Sequence, residues 1–194
     1  GEQSILDSEY SEIPEGNESY DQNKVALNTI YTRKINAKNS IKAGIIASMN
    51  FYDLEQSWRN ESGTSIETLI KQNGEAITLQ SFAQWNFHPL ERLTIVTGLH
   101  YLAFTENNTF SIEPRASAKY NLNDKQSVSI GYGLHGQVQP LGVYFAQLNN
   151  SDGTIVMPNH DLGISKSHHF VVGYDRTITK YMHVKIEGYY QSIF

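Results

Sequence analysis

The chain has 194 residues, no cysteine, a formal net charge of −5 and a pI near 5.8, with 39% hydrophobic and 18% charged residues and a mean hydropathy of −0.43. These values exclude disulfide staples, thiolate metal sites and a cysteine nucleophile, and the scattered Lys and Arg argue against a nucleic-acid partner. The longest apolar runs fall far short of the roughly 20 residues of a spanning helix, so a membrane could be crossed only by the strands of a closed barrel, whose alternation keeps mean hydropathy low.

Residues 1–23 carry Glu2, Asp7, Glu9, Glu12, Glu15, Glu18 and Asp21 among few large apolar side chains. They read as an acidic arm or surface loop ahead of a β segment over 24–194. No positively charged stretch with an apolar core opens the chain, which implies a processed leader or an internal piece of a longer protein.

Strand signals begin at Lys24. Residues 24–35 place Val25, Leu27, Thr29 and Tyr31 on one face, and Asn36, Ala37, Lys38 and Asn39 turn the chain into 40–54. There the period of two is clearest: Ile41, Ala43, Ile45, Ala47, Met49 and Phe51 interleave with Lys42, Gly44, Ile46, Ser48, Asn50 and Tyr52. Residues 56–75, with Gly63 and Gly74, read as a longer loop. Residues 76–88 set Ile77, Leu79, Ala83, Trp85 and Phe87 against Thr78, Gln80, Gln84, Asn86 and His88. A tight turn at Pro89, Leu90 and Glu91 leads to 92–104, with Leu93, Ile95, Leu99 and Tyr101 outward.

After Glu106, Asn107 and Asn108, residues 110–122 put Ile112, Pro114, Ala116, Ala118 and Tyr120 opposite Glu113, Arg115, Ser117 and Lys119. A turn at 123–125 leads to 126–139, where Val128, Ile130, Tyr132 and Leu134 alternate with Ser129, Gly131, Gly133 and His135. A long segment, 140–166, precedes the last hairpin, 167–178 with 181–193, in which Phe170, Val172 and Tyr174 share parity with Val184, Ile186 and Tyr190.

The reading is all-β: an antiparallel up-and-down meander of about eight long strands, part of a transmembrane barrel. The turns after the first, third, fifth and seventh strands are short and the others longer, as in barrels with short periplasmic turns and long extracellular loops. Aromatics including Tyr31, Trp85, Tyr101, Tyr120, Tyr132 and Tyr190 fall near strand ends, as interfacial girdles do.

The phrases SIEPRASAKY over 111–120, SVSIGYGLHGQVQPLGVYF over 127–145, DLG over 161–163, SHHFVVGYDRTI over 167–178 and HVKIEGYYQSIF over 183–194 resemble the barrel of the TonB-dependent outer-membrane receptors of Bacteroidetes. The likeness runs through most of 24–194. It implies a barrel of about 22 strands, closed by a separate plug domain, that imports a scarce ligand with energy delivered through the TonB system. The chain lacks a plug and has too few strands, so the resemblance makes it an internal or C-terminal-half portion of the barrel in the outer membrane of a Gram-negative bacterium. The implied partners are outer-membrane lipid, the plug and the rest of the barrel, and an unknown small ligand. Two alternatives stand beside it. One is a complete eight-stranded barrel for adhesion or binding, which the outward parity of the terminal Phe194 suits; the other is a soluble lipocalin-like protein.

Candidate lumen-facing polar residues are Glu113, Arg115, Lys119, His135, Asp175, Lys185 and Glu187, read as ion pairs or lumen contacts. Tyr144, Phe145, Asn149, Asn150 and Asp152 form a candidate ligand loop, and Gly131 and Gly133 leave room for close approach to the wall. No enzyme activity, cofactor or metal site is expected. The adjacent His168 and His169 point to opposite faces, His88, His100 and His135 lie on separate strands, and no serine sits on a nucleophile elbow.

Overall fold

The computed structural model describes residues 2–6, 12–60, 62–150 and 152–194. In chain order the elements are β1 (Glu2–Leu6), β2 (Glu12–Lys34), β3 (Asn39–Arg59), β4 (Ile66–Leu90), β5 (Leu93–Phe104), β6 (Thr109–Asn123), β7 (Gln126–Gln137), the single turn α1 (Leu141–Tyr144), β8 (Leu148–Asn149), β9 (Ile155–Val156), β10 (Ser165–Thr179) and β11 (Met182–Ile193). Nine strands form one sheet in the order β1-β2-β3-β4-β5-β6-β7-β10-β11, and β8 and β9 make a small separate hairpin. All neighbours in the large sheet are antiparallel.

The register turns the alternation of each strand into two faces. One row of partners runs Thr32, Lys42, Gln84, Gly98, Arg115, Gly133, His169, Gln191 across eight strands. The adjacent row, on the opposite face, runs Arg33, Ile41, Trp85, Thr97, Ala116, Tyr132, Phe170, Tyr190. Because the side-chain period is two, fixing one row fixes every residue of the sheet to a face. The apolar sets read from the sequence all fall on the second, outer face, and they are uncovered: Leu27 is 71% exposed, Ile130 61% and Ile186 63%.

Short polar turns close one end of the sheet. Asn36 Oδ1 accepts from Lys38 N at 2.9 Å, Asn123 Oδ1 from Lys125 N at 2.9 Å, and Thr179 Oγ1 from Tyr181 N at 3.2 Å, each the local side-chain bond that favours a reversal. The other end carries the tall β2–β3–β4 extensions, the β5–β6 turn and the 138–164 connection.

Two sequence expectations change here. Residues 56–75 are no loop, since β3 and β4 continue upward as one hairpin and turn only over 60–65. Asn60 Oδ1 accepts from Thr64 N at 2.9 Å and Ser65 N at 3.3 Å, and Gly63 takes φ +71°. Likewise 12–23 are the outer half of β2, paired from Gly16 opposite Trp58 to Asn23 opposite Phe51. Both stretches are mostly polar, and their few large apolar residues, Trp58 and Ile70 among them, form no sustained run of period two, so the paired backbone makes strands that no hydropathy alternation marks. The sheet also stays open among the described residues: β11 pairs with β10 and β1 with β2, and neither edge finds the other. A closed eight-stranded barrel, which would demand steep curvature around an interior filled by side chains, is therefore not formed.

Candidate functional site

The inner face is defined by what covers it. The connection after β7 folds back onto the sheet, and α1 presents Tyr144 and Phe145, both essentially fully buried, to Tyr52, Leu54, Ile70, Ala76 and Phe104. Phe145 stacks on Tyr52 with ring centroids 5.2 Å apart, Tyr144 packs on Phe104 at 5.2 Å, and Gln139 N donates to Tyr144 Oη at 3.2 Å. Asn107 Nδ2 ties the same connection to the β5–β6 turn by donating to the carbonyls of His160 at 3.2 Å and Leu162 at 2.6 Å. The principal apolar core of this sheet is thus the anchorage of one loop.

The candidate ligand-loop residues accordingly divide. Tyr144 and Phe145 are spent on holding the loop to the inner face. Asn149 Nδ2 donates to the Thr68 carbonyl at 3.4 Å, joining the β8–β9 hairpin to β4. Asn150 Nδ2 donates to Thr154 Oγ1 at 2.9 Å, and Asp152 Oδ1 accepts from Thr154 N at 2.9 Å and Oγ1 at 2.6 Å. The Thr154 hydroxyl and amide hold the Asp152 carboxyl below its ordinary range.

All seven candidate polar residues share the inner face, because their register partners continue the inner rows. They separate into two groups. Midway up the wall, Glu113 is fully buried, and its Oε2 receives the Arg115 guanidinium at 2.7 Å and pairs with His100 Nδ1 at 2.9 Å. His100 Nε2 lies 3.3 Å from Gln80 Oε1. The other carboxylate oxygen lies against Gly136, where a Cβ would stand 2.6 Å from it. Beside this group His135 and His169 meet with ring centroids 4.4 Å apart, and His169 Nδ1 contacts Tyr189 Oη at 2.6 Å.

Near the short turns, Asp175 pairs with His183 at 3.0 Å and Lys185 with Glu187 at 2.9 Å. Lys119 and Asp175 line a polar cleft of about 430 Å³ with Arg92, Asn121 and Lys125. A larger cleft, about 580 Å³, lies over the glycines of the wall and is lined by Gly98, Arg115, Gly131, Gly133, His135 and His169. Among the described residues no group of three or more His, Asp or Glu stands close enough to hold a metal ion.

The sequence reading weighed His100 and His169 only as metal ligands and set them aside, and it gave Gln80 and Tyr189 no place in a site. His100 and Gln80 bear the inner parity, a signal present in the alternation. Their meeting with Glu113 depends on a register that no single strand encodes.

An antiparallel meander with a bare apolar outer face, a polar inner face and a connection folded back over that inner face is the wall of a β-barrel. Among solved structures the chain is similar to the copper transporter OprC, with a TM-score of 0.68 and 12% identity over 93% of this chain and 31% of that one. It is also similar to a chain of the FpvAI–pyocin S2 complex, with a TM-score of 0.64 and 12% identity over 91% of this chain and 25% of that one. At 12% identity both likenesses show a shared fold alone, the antiparallel wall of a β-barrel. The chain spans less than a third of either structure. No family model and no curated protein matches it.

Proposed function

We propose that this chain is part of the barrel wall of an outer-membrane receptor of the TonB-dependent type, which takes up a scarce ligand across the outer membrane of a Gram-negative bacterium. The observation that carries the reading is the outer face. Val25, Leu27, Ile45, Leu79, Leu99, Ile112, Ile130, Val172 and Ile186 stand uncovered across eight strands. An apolar surface continuous over a whole sheet face is far beyond the few hundred Å² that soluble monomers leave exposed, and hydrocarbon is the solvent that suits it. A lipocalin-like cup would place its apolar residues inside, opposite to this arrangement.

On this reading the inner face looks into a lumen shared with a plug domain and the remaining strands, and both open sheet edges continue into that barrel. The 138–164 connection is an inward-folded extracellular loop, and the wall has no catalytic task. The family phrases in β6, β7, β10 and β11 support a Bacteroidetes-type receptor.

The test is site-directed labelling of the intact receptor in outer membranes. With a membrane-restricted thiol probe, Ile45→Cys and Leu79→Cys label and Ser48→Cys, on the inner face of β3, does not. Equal reactivity on the two faces would sink the assignment.

A further inference from the structure

We propose that His135 and His169 form a two-imidazole seat for a borderline divalent cation such as Zn²⁺ on the inner face of the wall. The inference stands on the local geometry and does not rest on the import reading. The two residues come from neighbouring strands, β7 and β10, and His169 is the register partner of Gly133, two residues before His135. This diagonal brings the rings to 4.4 Å between centroids with planes inclined by 47°. Both line the same open cleft, so solvent and ions reach them.

Two features prepare the pair. The first is Gly133. A Cβ built there would stand 2.7 Å from His135 Nε2, so the missing side chain is what lets this ring fold down along its own strand toward β10. The second is Tyr189 on β11. Its hydroxyl donates to Gln191 Oε1 at 3.1 Å, which leaves Tyr189 Oη to accept from His169 Nδ1–H at 2.6 Å. That bond fixes the His169 tautomer with its lone pair on Nε2, the form and outer support that metal-binding imidazoles use.

The cationic group nearest the pair has a counter-charge of its own. Arg115 lines the same cleft, but its guanidinium is paired at 2.7 Å with the fully buried Glu113, which also holds His100. Two neutral imidazoles supply half of a tetrahedral shell for an ion that prefers nitrogen ligands at about 2.0–2.1 Å, and water fills the remaining positions. The donor set favours Zn²⁺, Ni²⁺ or Cu²⁺ over Mg²⁺ or Ca²⁺, which require oxygen ligands.

The experiment is calorimetric titration of the intact detergent-solubilised protein with Zn²⁺, and with Mg²⁺ in parallel, using circular dichroism to show that each variant remains β-sheet. The expected result is a saturable Zn²⁺ site without a Mg²⁺ counterpart, weakened at least about 10-fold in both His135→Ala and His169→Ala. Gly133→Ala and Tyr189→Phe retain both ligands and are expected to weaken Zn²⁺ binding by about 10-fold through displacement of one ring and loss of the other's support. These two variants also decide the matter if either histidine variant fails to fold. Absence of a Zn²⁺ site in the intact protein, or one that the four substitutions leave unchanged, overturns the proposal.

Discussion

Glu113 and Arg115 stand two residues apart on β6 and form a 2.7 Å ion pair in which the carboxylate is fully buried while the guanidinium is 42% exposed. The strand period puts both on one face, and the same carboxylate oxygen also meets His100 from β5 at 2.9 Å. A buried carboxylate persists because its partners replace the water it gave up. Removing it leaves His100 and Arg115 facing a partly dry wall with no counter-charge. Glu113→Ala is expected to cost about 3–5 kcal/mol of stability. Glu113→Gln, which keeps the shape and one acceptor, is expected to cost clearly less. Denaturant unfolding in detergent micelles gives both values, and equal losses would contradict the role of charge.

The glycines of the inner face differ in what surrounds them, which gives a paired prediction. At Gly98 a Cβ would meet the Ala83 carbonyl oxygen at 2.8 Å and Gln84 Cα at 3.3 Å, both backbone atoms of the neighbouring strand. At Gly131 the nearest contacts are 3.8 and 4.0 Å. Gly98→Ala is expected to destabilise by about 1–3 kcal/mol through overpacking. Gly131→Ala is expected to be neutral or to gain about 0.5 kcal/mol from reduced chain entropy in the unfolded state. Thermal unfolding of the two variants side by side checks the contrast.

Tyr144 is the anchor of the inward-folded connection. Its ring is fully buried against Phe104 and its hydroxyl accepts the Gln139 amide. Tyr144→Ala empties that space at an expected cost of about 3–5 kcal/mol to the loop's docking. Since the strands are held by their own ladders, the loss falls on the loop. Limited proteolysis should cut within 138–164 in the variant under conditions that leave the parent chain whole, and the β-sheet dichroism should stay the same. Loss of the dichroism as well would show that the loop and sheet form one cooperative unit.

Asp152 gives a pH prediction with a definite sign. Its folded-state acidity is increased first by the Thr154 hydroxyl and then by the Thr154 amide. A depressed carboxylate contributes to the hairpin turn fully above the ordinary aspartate range and loses that contribution as pH falls through the depressed value. Thr154→Ala removes the stronger of the two bonds, so the Asp152 carboxyl should titrate at higher pH than in the parent. NMR titration of the Asp152 carboxyl carbon reads the shift, and an unchanged midpoint would remove the hydroxyl from the account.

Much of the sheet could be read from single strands. The period of two over 41–52 assigned Ile45 outward and Ser48 inward, and the register keeps every such assignment. Asn36, Asn123 and Thr179 marked their reversals through bonds to amides two residues away, a local chemistry that sequence carries directly. The upper hairpin of β3 and β4 was illegible because residues such as Glu55, Gln56, Gln72 and Asn73 are polar on both faces. There the strand is held by backbone ladders that leave no mark in hydropathy.

The sequence by itself determined which side chains share a face, because that follows from the geometry of an extended chain. Which residues meet across strands was decided only by the tertiary structure. His135 touching His169, His100 reaching Glu113, and Tyr144 descending onto Phe104 depend on register and on the path of a long connection. Those are set by the summed pairing of the whole sheet, in which a shift of one residue would send a strand's side chains, His100 or His135 among them, to the opposite face.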